Sequence, residues 1–375
     1  MIGDMTCPAL LFVASAVALT CDEYLSPEVL AVMEVEGMNE SSGLAPAAAR
    51  PGVWFTHNDA GGQAEIYAFE LDGGYVETHA VQGADFHDWE DMAAGPCPDG
   101  AGRCLFIGDI GDNARSRESV SVYAVREPGA GSDATVIASW HGSYAVGPQD
   151  SEALFVHPRT GRIYLATKEP EGDVSAIYRF AAEPGAVVQE LEHVADWTVE
   201  LPGAATTGGD WDPDGDRLVI RTYGVAYEWT TDPCEPDAHW DGAPTIWPIE
   251  DTRGEAIAYD FDGDLVALTE GEIATITLLE CDTVGSGSDA CDTGDADADT
   301  DADADTDTDT DTDSDADADT DTVPVDSAEP SVGDSGDTAL ATPGACRACG
   351  GCQSGAAGGV LAALVGLIGL TRRRR

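Results

Sequence analysis

The chain has 375 residues, and its 71 Asp plus Glu against 17 Lys plus Arg give a formal net charge of −54. That balance excludes a nucleic-acid partner, because phosphate tracking needs clustered Lys and Arg whereas Lys168 is the one lysine in the sequence. The charge divides along the chain: residues 1–281 hold 50 acids and 12 bases, 282–345 hold 21 acids and no base, and 346–375 hold 5 bases.

Residues 8–19 (PALLFVASAVAL) form a short apolar run followed by Thr20-Cys21. The run fits the hydrophobic region of a secretory signal over residues 1–21 and is too short for a comfortable membrane span. A basic leader is missing, since Asp4 is the only charge before it. Cys21 resembles a lipoprotein acceptor, although Ala18-Leu19-Thr20 departs from the usual pattern; lipidation and plain cleavage both stay open.

Residues 28–281 are long enough for one large domain, and the pattern is strand after strand. Residues 53–56 (VWFT), 105–108 (LFIG), 162–167 (RIYLAT), 218–222 (LVIRT) and 264–269 (DLVALT) are short β-rich runs that precede polar loops. Each has a similar lead-in: Ser42-Gly-Leu-Ala, Glu90-Asp-Met-Ala, Glu152-Ala-Leu-Phe, Thr207-Gly-Gly-Asp and Glu255-Ala-Ile-Ala. Gly43, Asp91, Ala153, Gly208 and Ala256 are 48, 62, 55 and 48 residues apart, near the ~40–50 residue period of a propeller blade. The expected fold is an all-β propeller of five or six blades, with the N-terminal strand near Ala31 closing the last one. A β-sandwich is the runner-up. Asp212-Pro-Asp-Gly-Asp and Asp260-Phe-Asp-Gly-Asp mimic calcium loops, but their glycines misfit that order and read as hairpin turns. Cys97 and Cys104 bracket a loop that a disulfide closes easily in an exported protein, whereas the pairing of Cys234, Cys281 and Cys291 is not legible.

Asn39-Glu-Ser-Ser-Gly-Leu, Trp54-Phe-Thr-His-Asn-Asp, Asp88-Trp-Glu-Asp-Met-Ala, Ile107-Gly-Asp-Ile-Gly-Asp-Asn, Ser151-Glu-Ala-Leu and Gly254-Glu-Ala-Ile-Ala resemble a bacterial propeller family. That family is related to the SdiA-regulated proteins and, remotely, to the calcium-dependent propeller phytases. The resemblance covers nearly all of residues 36–280 and implies a fold more than a function.

In a propeller, equivalent positions of successive blades form a ring at one mouth. Glu90, Glu152 and Glu255 occupy lead-in positions, and Asp59, Asp109, Lys168, Arg221 and Glu270 follow the next strands. If the carboxylates converge, they repel unless a cation or those two bases offset them, and hard oxygen ligands suit calcium. A purely structural acidic channel is the alternative. A zinc hydrolase motif and a Gly-x-Ser-x-Gly elbow are absent.

Residues 282–345 include a tract, 295–321, in which every second residue is Asp; it can form no core and reads as a disordered, extended spacer. Residues 355–370 (GAAGGVLAALVGLIGL) then form an apolar segment too short to span a bilayer comfortably, followed by four arginines. With Cys346, Cys349 and Cys352 just before it, the segment over 346–375 resembles the C-terminal sorting signals of Myxococcus-type bacteria. That resemblance implies a processing enzyme, transient membrane anchoring by a short helix, and display at the cell surface or release.

Three functions follow as expectations. The first is a surface-displayed, monomeric binding or scaffold module for an unidentified ligand or surface partner, with a cation among Asp59, Glu90, Asp109, Glu152, Glu255 and Glu270. The second is a calcium-dependent phosphoesterase in which Lys168 and Arg221 pair with substrate phosphate. The third is a periplasmic regulatory protein.

Overall fold

A computed structural model describes residues 19–286 apart from 22, 170–173, 182, 200–204, 250, 252 and 283. The expected leader, most of the acidic tract and the C-terminal segment in which a sorting signal and a short helix are expected lie outside the described residues.

Strands β1 (Leu19–Cys21) and β2 (Glu28–Met33) precede a series of antiparallel meanders. The first unit holds β3 (Ser41–Pro46), β4 (Val53–Asn58), β5 (Glu65–Glu70) and β6 (Tyr75–Gln82). The second holds β7 (Trp89–Pro96), β8 (Arg103–Asp109), β9 (Val120–Arg126) and β10 (Ala134–Ser143). In the third, β11 (Ser151–Val156), β12 (Ile163–Thr167) and β13 (Val174–Arg179) lead past β14 (Val188–Glu190), which pairs β10 instead, to β15 (Glu192–Thr198). The fourth is β16 (Thr206–Trp211), β17 (Arg217–Thr222), β18 (Val225–Thr230) and β19 (Thr245–Pro248). The fifth is β20 (Gly254–Tyr259), β21 (Leu265–Thr269) and β22 (Ala274–Leu279), and its outer strand is β2, with Val32 opposite Thr275. Strand β23 (Val284–Ser286) pairs β1.

The two-residue alternation of strands explains why the units stack. In β12, Ile163 and Leu165 join the apolar cluster of Phe106 and Leu154, whereas Tyr164 and Ala166 join that of Phe155 and Trp211. In β21, Val266 and Leu268 face Leu44 and Trp54, whereas Leu265 and Ala267 face Val219 and Ala226. One cluster thus fills each junction between consecutive units, and the fifth unit packs on the first. The first strands β3, β7, β11, β16 and β20 neighbour one another in a closed circuit. The described residues are all-β, without a helix, and propeller-like; the sandwich alternative has no place for apolar junctions that recur around a circuit.

Among these first strands the Asp91 carboxylate accepts N–H groups of Met92 (2.8 Å), Leu154 (2.9 Å) and Gly209 (2.9 Å), tying the second unit to the third and fourth. Two disulfides between described residues complete the frame. Cys97–Cys104 closes the β7–β8 hairpin as expected, and Cys21–Cys281 pins the start of the domain to its end. With its sulfur in that bond, Cys21 is not available for a thioether-linked lipid. The two Asp-rich motifs are hairpin turns: Asp212 Oδ1 accepts N–H groups of Gly215, Asp216 and Arg217, and Asp260 Oδ1 those of Asp262 and Asp264.

Candidate metal centre

The pairing of each first strand with its neighbour slips at one place. The register breaks between Ser41 and Leu44, Trp89 and Asp91, Ser151 and Ala153, Thr206 and Gly208, and Gly254 and Ala256. The residues at the break are Ser42 with Gly43, Glu90, Glu152, Thr207 and Glu255. A bulge leaves its extra residue out of the ladder and re-aims its side chain, so the same irregularity presents one polar residue per unit at the same end.

Two of these meet. Glu90, Glu152 and Asp150 each offer a carboxylate oxygen, and the three lie within 4.8 Å of one another, all buried. Asp150 stands just before β11, and its Oδ1 accepts the Asp112 N–H at 2.8 Å. The loop after β8 closes over Glu90: a Cβ at Gly111 would lie 2.0 Å from Glu90 Oε1 and 2.7 Å from Asp88 Oδ2. Glu152 Oε2 is sealed from solvent without a hydrogen-bond donor.

Lys168 follows β12, and its backbone N–H donates to Asp150 O at 2.9 Å. The ammonium stands 3.0 Å from Glu152 Oε1 and 3.9 Å from Glu255 Oε1. Glu255 also accepts from the Tyr223 hydroxyl at 3.0 Å and from Ser42 Oγ at 3.4 Å.

The electrostatics follow from burial. Desolvation, then the neighbouring Glu152, Asp88 and Glu255, raises Glu90 well above the usual carboxylate range. Burial also pushes Glu152 up to about 8, with Lys168 opposing and Glu255 and Asp150 adding. Burial would lower the Lys168 ammonium, but Glu152 and Glu255 outweigh it and hold it above its ordinary value. Asp59 is raised to about 7 by burial with Glu40 and Glu255 nearby, and Glu270 is raised by burial, Glu255 and Glu40. The end of the ring is therefore a crowded field of carboxylates with one ammonium inside it, an arrangement that favours taking up protons or a cation.

The eight residues expected at the site separate into three groups. Glu90, Glu152, Glu255 and Lys168 come together, and Glu255 raises Asp59 and Glu270 at the rim. Asp109 is engaged elsewhere: Arg117 Nη2 stands 2.7 Å from Oδ1 and His87 Nδ1 3.2 Å from Oδ2. The residue that repeats the backbone pairing of Asp59, Lys168 and Glu270 is Ile110, whose N–H donates to Asp88 O, so Asp109 lies one position short. Arg221 is fully buried; Nη2 donates to both Asp251 carboxylate oxygens at 2.7 Å and Nη1 to Ala256 O at 2.6 Å. Gly254 makes room for it, since a Cβ there would overlap the guanidinium. Asp150 and Tyr223 were not among the expected site residues. The signal for Asp150 was the repeated Asp-x-Glu of Asp88-Trp-Glu90 and Asp150-Ser-Glu152.

No family model matches this chain, and no curated protein matches it. Among solved structures, two glucose dehydrogenases align with 68% of this chain and 99% of their own, at 13% and 12% identity and TM-scores of 0.38 and 0.41. Likeness at that level adds nothing to the fold read from the sheets or to the chemistry of the site.

Proposed function

We propose that this protein is an exported binding module, a five-bladed propeller displayed at the cell surface, whose acidic end holds one divalent cation. The observation that carries the reading is the convergence of Glu90, Asp150 and Glu152 within 4.8 Å, from two units with the same bulge. An all-carboxylate set of hard oxygens suits calcium better than the softer transition metals. Disulfides at Cys21–Cys281 and Cys97–Cys104 support an oxidising compartment, and the Asp-rich tract and C-terminal arginine cluster support display at the surface.

Phosphoester hydrolysis is the weaker reading for a specific reason. Both bases that would meet a phosphate are already neutralised, Arg221 by Asp251 and Lys168 by Glu152. A regulatory protein free in the periplasm would lack a use for the terminal arginines. The test is a thermal melt of the purified chain with calcium and with chelator, run beside turnover of a generic phosphomonoester. Stabilisation by calcium without turnover supports the reading. An unchanged melt sinks the cation site, and turnover lost in Lys168→Ala would restore the esterase. Cell fractionation that finds the protein soluble in the periplasm overturns surface display.

A further inference from the structure

The junction between the third and fourth units carries a recess of a different kind. Trp197 stands near the end of β15, Tyr227 and Trp229 lie two apart on one face of β18, and Trp240 and Asp241 belong to the connection from β18 to β19. With Asp196 they line a cleft of about 360 Å³, within the range of small-ligand sites. Its wall is a chain of aromatic rings: Trp197 meets Tyr227 at 4.9 Å and Trp229 at 5.5 Å between centroids, and Trp229 meets Trp240 at 5.9 Å. Asp196 and Asp241 are the charged residues of the lining, and both are exposed.

A tryptophan that only packs a junction still places its N–H on an acceptor. Trp89, Trp211, Trp229 and Trp247 each donate to a protein oxygen at 2.8–3.2 Å. Trp197 and Trp240 do not. Among the described residues theirs are the indole N–H groups shut off from solvent without an acceptor, and the Trp197 side chain is only 8% exposed. A buried donor left unpaired costs about 1–3 kcal/mol, so two of them bordering one cleft mark a missing acceptor.

We propose that this cleft is a binding site for a neutral saccharide, separate from the carboxylate cluster. A sugar ring has an apolar C–H face that lies on the electron-rich face of an indole, and hydroxyl groups at its edge that both donate and accept. Its oxygens supply the acceptors that Trp197 and Trp240 lack, and its hydroxyl hydrogens go to Asp196 and Asp241. An ammonium ligand suits the rings and the carboxylates but has no acceptor for an indole N–H, and an anionic ligand is repelled by the two aspartates. Both N–H groups are closed off in the free chain, so binding includes a turn of the partly buried Trp240 ring, which stands on a connection rather than a strand.

The experiment is a titration of the full chain, isotope-labelled at its indole nitrogens and followed by NMR, with maltotriose, cellotriose and chitotriose as neutral probes and tetramethylammonium as the cationic one. The two signals are assigned by their loss in Trp197→Phe and Trp240→Phe. At least one trisaccharide is expected to move both signals saturably at millimolar concentration, and Trp240→Ala to weaken that binding about tenfold or more. If the melting temperature shows that Trp240→Ala does not fold, Asp241→Ala, at an exposed position, is expected to weaken the same saccharide several-fold. Failure of all three sugars to move either signal overturns the site, as does an unchanged saccharide affinity in the folded variant. Movement with tetramethylammonium alone overturns the saccharide and makes the cleft a cation cage. None of these results bears on the calcium melt, because the cleft shares no residue with Glu90, Asp150 and Glu152.

Discussion

Gly111 is packed against Glu90 so closely that a single methyl group at Gly111 would fall 2.0 Å from Glu90 Oε1. The loop that carries Gly111 is held from both sides, since Arg117 donates to Gly111 O at 2.7 Å and Asp112 takes the N–H groups of Ser116 and Arg117. The glycine is the lid over one of the proposed ligands. Gly111→Ala is expected to push Glu90 out of the cluster. A ligand present at a hundred times its Kd stabilises a fold by about 2.7 kcal/mol, and that increment should vanish while the melt in chelator stays within a few degrees of wild type. Calcium titration by melting temperature checks it, and a full calcium response in the variant would show that Glu90 is not a ligand.

Asp91 carries a different load from its neighbour Glu90. It is fully buried, and its two oxygens take three backbone N–H groups from three units. Burial raises its carboxyl well above the usual range, and the N–H groups of Leu154, Met92 and Gly209 pull it back. Asp91→Ala leaves those donors unpaired among the first strands, so stability should fall by about 3 kcal/mol or more. Urea unfolding checks this; a loss under about 1 kcal/mol would mean that water replaces the carboxylate.

The ionisation of buried acids makes a pH prediction with a definite sign. Asp210 is raised to about 7 and Glu152 to about 8, chiefly by burial. A carboxyl raised in the folded state binds more protons there than in the unfolded chain. Its contribution is complete below the unfolded value near 4 and is lost as pH rises through the folded value. His57, His157 and His239 are lowered to about 4 by burial and act in the opposite sense, but only below about pH 6.5. In chelator the melting temperature should therefore fall steadily from about pH 6.5 to 8.5. Asp210→Asn removes a group outside the ligand cluster whose Oδ2 accepts the Tyr259 N–H at 3.0 Å, and should flatten the part of that slope near pH 7. A melt that rises over this interval contradicts the assignment.

The Cys21–Cys281 bond spans 260 residues. Replacing both cysteines with serine should cost about 2–5 kcal/mol, because a long loop of the unfolded chain is released. The loss should be local first: amide exchange is expected to speed up in β2 and β22 before β7 or β11. Uniform acceleration across all units would show that the ring opens as one body.

Much of this arrangement is legible in the amino-acid sequence alone. The lead-ins at Ser42, Glu90, Glu152, Thr207 and Glu255 are the bulged positions themselves, so a spacing pattern located the ring of side chains even though a bulge cannot be seen in a sequence. The error at Asp109 has a simple cause. The run legible as strand, 105–108, stops one residue short of the end of β8 at Asp109, and a one-residue offset in a strand exchanges one face for the other. Charge alone marks Arg221 as a ligand-binding base, whereas Asp251, about 30 residues on and beyond two strands, neutralises it. Pairings of that kind depend on tertiary proximity, which no local motif encodes. Asp150 was within reach, since it repeats the Asp-x-Glu of the preceding unit.

Closure of the fifth unit by β2 has a temporal side. Val32 is made early, and its partner Thr275 is added 243 residues later. At ordinary rates of synthesis the gap is roughly 12–50 s. During that interval β2 has no sheet to join, and its Val29 and Val32 can pair with any open edge they meet. The last unit cannot assemble in order of emergence. It must wait for the end of the domain, so a chain held back from misassembly until residue 279 is complete is a condition for making this protein at all.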